Sequence, residues 1–450
     1  VFKHIILVIQ ENRTPDNLFG SNPKFEPGVD LATSGVNSLG QTIPLEPTPL
    51  AGCYDLGHIH NDFEAMLNEG ADQETVVVGT GCTVPPNPEF RYVDNSTGTV
   101  QPYFDMAKSY AFANRMFQTN QGASFLAHQF LYGGTSQPTA DSPLFASDSI
   151  KDDGHDFGCM SAPGVLFKVI DGYGNENTNP PVYPCFEHPV LSDLLNAANL
   201  SWRYYAPTPN GIWTAPNAIQ HVCVPVPNPQ GQLSSCTGAA WTNGEVVPNN
   251  PAQVLTDIQS CSLAAMSWVT PTGEESDHPQ SNTGLGPAWV ASIVNTLGEQ
   301  PTCPGGENYW KDTAILITWD DWGGWYDHVK PFAINLQPTS PAQWGDGYTY
   351  GFRVPLLVIS AYTPNHMVDN TVHDFGSLLY FVEHNFGLGS IGPADSIYGF
   401  YADYQAAARG DNLSEFFPRN TAKTFVAIPT TTGASYFIHA PRSTVPPDSD

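Results

Sequence analysis

Charge is what this 450-residue sequence has least of. Only 13% of its residues are Asp, Glu, Lys or Arg, about half the share in an ordinary soluble domain, so the surface must rely on Asn, Thr, Ser, Gln and Gly. Basic residues are the scarcest: 16 Lys and Arg stand against 44 Asp and Glu, a formal net charge of -28. Phosphate backbones and anionic headgroups are repelled by such a field, which excludes nucleic acid and acidic membranes as partners. No run of about 18 apolar residues occurs, so no transmembrane segment is expected. Internal repeats, heptads and low-complexity tracts are missing too. There is no CxxC pair, hence no zinc-ribbon spacing, and no GxSxG, hence no α/β-hydrolase nucleophile elbow.

What remains is plainly globular. Hydrophobic residues make up 41% and aromatics 12%, enough for a large buried core. The eight cysteines are even in number, and sequential pairing, which closes the shortest loops, predicts Cys53–Cys82, Cys159–Cys185, Cys223–Cys236 and Cys261–Cys303. Disulfides imply an oxidising compartment. The chain opens inside an apparent strand with no leader, as a processed secreted or periplasmic protein would. Its pI of about 4.5 suits an acidic setting, where self-repulsion is least.

Three short apolar runs, His4–Gln10, Ala314–Trp319 and Val354–Ser360, are rich in branched residues and bounded by polar ones. They predict central strands covered on both faces, the parallel kind. Helices are expected over Tyr103–Phe117, Leu191–Asn199, Ala288–Leu297 and Phe375–Phe386. Alternating strands and helices give an α/β fold, a doubly wound and mostly parallel sheet flanked by helices. A single domain over 1–450 is the simplest division. Residues 205–262, rich in Pro, Asn and Cys, are expected to form a loop-rich insertion, and Thr424–Ile428 an edge strand.

Ligands in open α/β sheets bind at the carboxyl ends of strands. The first run ends in Glu11-Asn12-Arg13 and the second in Asp320-Asp321-Trp322-Gly323-Gly324-Trp325-Tyr326-Asp327-His328. Each acid could be a turn former or helix cap. Brought to one sheet edge, Glu11, Asn12, Asp320 and Asp321 would instead form an oxygen-rich site whose repulsion a divalent cation relieves. His58, in DLGHIH, and His278, in SDHP, sit in loops; each could ligate a metal, hold an anion, donate a proton or simply hydrogen-bond its loop. His155, among Asp152, Asp153 and Asp156, reads as part of a solvated acidic loop. Ser124, after Gly122-Ala123, starts a predicted helix as either its N-cap or a nucleophile beside an anion-binding helix end.

These segments resemble the bacterial and plant phosphoesterases that include the acid phosphatase of the phospholipase C superfamily and the non-specific phospholipases C. The matching stretches are IILVIQENRTPDNLFG (5–20), Asp55–His58, GASFLAHQFLYGGT (122–135), SDHP (276–279), TWDDWGGWYDHV (318–329) and RVPLLVIS (353–360). They follow the family's order. The resemblance implies an alkaline-phosphatase-like fold and metal-assisted cleavage of phosphate esters through a phospho-enzyme. It implies that Glu11, Asn12, Asp320 and Asp321 are metal ligands and that Ser124 is both nucleophile and ligand. His58 and His278 would hold phosphoryl oxygens and protonate the leaving group, with Arg13, Asp327 and His328 in support behind them. Leu126-Ala127-His128 stands where the family shows Pro-Asn-Arg, so its anion-binding arginine is absent or replaced by His128 in substrate binding; Ala123 stands where proline is common.

The function expected is a secreted, metal-dependent acid phosphatase acting on small phosphomonoesters. The alternatives are a phospholipase C acting on phospholipids and a silent extracellular protein that keeps the fold. Absence of an appended domain tilts the balance toward soluble monoesters. The cation would be calcium, magnesium or manganese, with zinc or iron kept open by the nearby histidines.

Overall fold

The computed structural model describes residues 2–151, 157–280, 282–334, 348–392, 401–441 and 443. The acidic loop around His155 lies outside them. Eight strands build the central sheet: β1 (His4–Gln10), β2 (Ala111–Ala113), β3 (Trp202–Ala206), β4 (Val246–Pro248), β5 (Met266–Val269), β6 (Thr313–Trp319), β7 (Leu356–Ser360) and β8 (Met367–Asp369), in the order β4-β3-β5-β1-β6-β7-β2-β8. Every residue of β1, β5, β6 and β7 is buried. That is why their sequences run apolar without alternation.

Leu7, Trp268 and Leu316 stand in register across β1, β5 and β6. On their face the Trp268 indole donates to the Leu131 carbonyl, seating the helix Ser124–Gly133. Trp319, three residues beyond Leu316 and therefore on the opposite face, meets the Tyr103 ring edge-on at 5.1 Å. Helices thus cover both sides: α1 (Gln101–Ser109) and α3 (Gly286–Glu299) pack together, as do α2 (Ser124–Gly133) and α4 (Phe375–Phe386).

The sheet is mostly parallel, but the third apolar run corrects the sequence reading. β7 runs antiparallel to both β6 and β2, and every other pairing is parallel. The chain leaves β6 at Trp319 and re-enters at Leu356 on the same end, opposite Thr318; without a crossover to the far end it can only run back. Consequently Arg353, just before β7, lies at the carboxyl edge of β1 and β6.

Two other expectations also change. The helix expected over Tyr103–Phe117 ends at Ser109, because Ala111–Ala113 is recruited into the sheet between β7 and β8. Thr424–Ile428 is not a strand: it crosses α3, held by the Asn295 side chain on both backbone groups of Ile428 and by Phe425 against Trp310. The helix surface beneath it offers no strand edge to pair with. Residues 205–262 contain more regular structure than their composition suggests, including β4, a hairpin (Pro225–Pro227 with Leu233–Cys236) and the helix Gln253–Gln259. The four disulfides join the pairs expected from sequential order.

Candidate active site

At the carboxyl end of β1 the chain must turn sharply, and Asn12 does so with φ 58°, a left-handed conformation that asparagine tolerates better than most residues. The turn carries Glu11 and Asn12 against the end of β6. There the Asp320 Oδ1 accepts the backbone N–H groups of Asn12 (3.0 Å) and Asp321 (2.8 Å). Gly323, at φ +61°, rests directly on this turn: a Cβ there would lie 2.5 Å from the Asn12 carbonyl oxygen. The glycine after the acid pair is therefore what lets the two loops close on each other.

Ser124 is the first residue of α2 but not its cap, which is Ala123. Its hydroxyl instead reaches the acids: it donates to Asp321 Oδ2 at 3.1 Å and lies 3.5 Å from Asn12 Oδ1. One helical turn on, His128 falls on the same side. Its Nε2 is 3.2 Å from Glu11 Oε1 and 3.8 Å from Asp320 Oδ2. Glu11, Asn12, Ser124, His128, Asp320 and Asp321 are all fully buried. His128, expected to touch substrate, lies against the carboxylates; its spacing of four from Ser124 was the signal for that placement.

The histidines approach from the other side. His58 Nδ1 must donate to the Leu56 carbonyl (2.7 Å), since that oxygen can only accept, which leaves Nε2 facing the Asn12 amide at 2.9 Å. His278 Nδ1 likewise donates to the Pro279 carbonyl (2.5 Å), and its Nε2 lies 3.7 Å from Asp55 Oδ2. The two rings are 6.1 Å apart. The structure thus brings both histidines, Ser124 and the four expected ligands around one buried locus.

Arg13, Asp327 and His328 do not reach it. Arg13 bonds the Asp277 and Leu50 carbonyls, with its guanidinium over Trp325; burial pulls its pKa down to about 10. Asp327 forms a two-pronged pair with Arg353 (2.8 and 2.9 Å), and His328 bridges Asp16 and Asp30. Burial raises the Asp327 carboxyl, the Arg353 charge opposing it. The donor atoms of Asp16, Asp327 and His328 lie close enough to share an ion, but the Arg353 guanidinium already serves that cluster. Sequence reasoning singled out neither Arg353 nor Asp16, nor Gln10, the last residue of β1.

The donor set at Ser124 fits a divalent cation. Donor atoms of Glu11, His128 and Asp320 lie within 4.8 Å of one another. Asp320 Oδ2 is buried without a hydrogen-bond partner among the described residues. Glu11, Asp320 and Asp321 place three carboxylates in one fully buried site, which calls for a cation.

The chain is 24% identical over 435 residues to phospholipase C A of Mycobacterium tuberculosis, covering 86% of this chain and 73% of that protein. With a non-hemolytic phospholipase C of Pseudomonas aeruginosa it shares 23% over 433 residues, 86% of this chain and 54% of that one. With non-specific phospholipase C1 of Arabidopsis thaliana it shares 36% over 90 residues, 19% and 15% of the two chains. A solved alkaline phosphatase superfamily protein from Vibrio parahaemolyticus overlaps loosely, with a TM-score of 0.36 at 10% identity over 87% of this chain and 69% of that one. The Phosphoesterase family pattern matches residues 2–389, and the chain therefore belongs to that family, as a hydrolase of phosphoric ester bonds.

Proposed function

We propose that this phosphoesterase works through a phosphoserine on Ser124, beside a divalent cation held by Glu11, Asn12, Ser124, Asp320 and Asp321, and that it favours small phosphomonoesters at acidic pH. The observation that carries the reading is the Ser124 hydroxyl: it starts a helix, is spared from capping, and donates to Asp321 Oδ2 at 3.1 Å. The oxygen donors suit calcium, magnesium or manganese; His128 adds a nitrogen acceptable to zinc. Once bound, the cation would lower the pKa of the serine hydroxyl and neutralise phosphoryl charge.

The residues supply the rest. Ser124 Oγ attacks phosphorus in line, while the first-turn amides of α2 favour the phosphoryl oxygens. His58 and His278 are each held through Nδ1 and act through Nε2: His58, as substrate displaces the Asn12 amide at 2.9 Å, to hold a phosphoryl oxygen, His278 to hand a proton to the leaving oxygen. Cationic imidazoles do both, which supports an acid optimum. The full burial of Ser124 and His58 favours a small ester. A phospholipase C is the second reading, favoured by the names of the relatives, and four disulfides support a secreted or periplasmic location. Among the described residues no helix is long and apolar enough to cross a membrane.

Quenching the enzyme in acid during turnover of p-nitrophenyl phosphate should leave phosphate on Ser124, located by peptide mass spectrometry. Ser124→Ala should lose the label and about a thousandfold or more of the rate. An active, unlabelled variant overturns the reading. Faster turnover of phosphatidylcholine vesicles than of any soluble monoester would transfer it to the phospholipase alternative.

A further inference from the structure

Gln10 and Arg13 bracket the Glu11-Asn12 pair, are both fully buried, and turn away from the carboxylates. The Gln10 amide grips the loop after β5 at two points: its Nε2–H donates to the Glu275 carbonyl at 3.1 Å, and its Oε1 accepts the Asp277 N–H at 3.0 Å. Arg13 closes on the same loop from the other side, with Nε and Nη2 both donating to the Asp277 carbonyl, at 3.0 and 2.6 Å. Both peptide groups of Asp277 are therefore held by the residues flanking the ligand pair. The Asp277 carboxylate is fixed separately, through Oδ2, by the Tyr103 hydroxyl (2.8 Å) and the Trp319 indole (3.0 Å) at the end of β6. The next residue is His278, whose carbonyl is taken by the Asn282 amide at 2.7 Å.

We propose that Gln10 and Arg13 are positioning residues that fix His278 relative to Glu11 and Asn12, so that the tetrapeptide Gln10-Glu11-Asn12-Arg13 sets the metal donors and the leaving-group acid as one rigid unit. The inner and outer residues of one short segment serve the two halves of the reaction. The inference rests on the reading of His278 as proton donor. In that step the Ser124 Oγ–P bond forms, the hydroxyl proton passing to Asp321 Oδ2, to which it already donates, as the P–O bond to the leaving group breaks; the electron pair stays on the leaving oxygen, which takes a proton from His278 Nε2. The benefit of that proton depends on the leaving group. A p-nitrophenolate is a weak base and departs almost unaided, whereas an alkoxide, a strong base, does not.

The test measures kcat/KM for p-nitrophenyl phosphate and glycerol 2-phosphate in Gln10→Leu and Arg13→Lys, with His278→Ala as reference. His278→Ala should lose about 100-fold more on the alkyl ester than on the aryl ester. Gln10→Leu and Arg13→Lys should each show the same bias, about 10-fold, because a displacement of the acid by even an ångström is felt in the rate. Equal losses on both esters, as disturbed metal ligands or a weakened fold would give, overturn the positioning role. If Gln10→Leu does not fold, Arg13→Lys alone decides, since it keeps the charge and removes the fork on the Asp277 carbonyl. Absence of bias in His278→Ala sinks the proton-donor reading instead; bias there without bias in the other two sinks only the present inference.

Discussion

Asp320 divides its two oxygens between different tasks. Oδ1 locks the turns after β1 and β6 together through two backbone N–H groups, and Oδ2 faces the Glu11 and His128 side. Asparagine would retain an acceptor for the first task and lose the charge needed for the second. Asp320→Asn should therefore fold while holding its divalent ion about 10–100-fold more weakly, measured as metal retained after dialysis against graded chelator. Unchanged retention would remove Asp320 from the ligand set. The acids were legible in the sequence because each follows an apolar run, and strand ends are where α/β sheets gather ligands. Ser124 was not decidable there: whether a serine caps a helix or sits one residue inside it depends on which residue keeps an extended backbone, here Ala123. Gln10 gave no signal at all, since a buried glutamine is recognised only by the loop it meets, 265 residues away.

At the scale of elements, β1, β6 and the helices Phe375–Phe386 and Leu191–Ala197 follow from composition and period, but strand direction does not. An apolar run reads the same in either direction; only the path of the intervening chain reverses β7. That reversal has an energetic consequence, because it delivers Arg353 to the edge where Asp327 and Asp16 are buried. The guanidinium bonds Asp327 twice, lies 3.6 Å from Asp16 Oδ1 and also caps the Asn114 carbonyl. Replacing it with a similar-sized apolar side chain leaves the acids unpaired inside the protein. Arg353→Met should cost about 3–5 kcal/mol in urea unfolding near neutral pH, well above an ordinary surface substitution. A loss under about 1 kcal/mol would mean that His328, which also contacts Asp16, carries the pairing by itself.

For the molecule as a whole, pH is the natural variable, because so many of its buried groups are acids. Burial pushes the carboxyls of Glu275 and Glu89 up to about 7 and those of Asp148 and Asp277 up to about 6, while in the unfolded chain such groups release their protons near pH 4. Between about pH 4 and 7 the folded chain thus binds more protons than the unfolded one, and stability must fall as pH rises through that window. His373 acts in the same direction at higher pH: burial disfavours its charge, but Asp369 and Asp411 hold it, raising it to about 9, so its contribution fades between about 6.5 and 9. His188 opposes them, since burial lowers it to about 4 and it resists acid. One group of this kind does not offset four carboxyls. Measured in chelator, to keep metal binding from adding its own pH dependence, the urea midpoint should be higher at pH 5 than at pH 7.5. Glu275→Gln, which cannot ionise, should flatten the slope between pH 5 and 7. A midpoint that climbs with pH across this range would mean that these acids are ionised in the folded state, and that the acidic composition is a property of the surface alone.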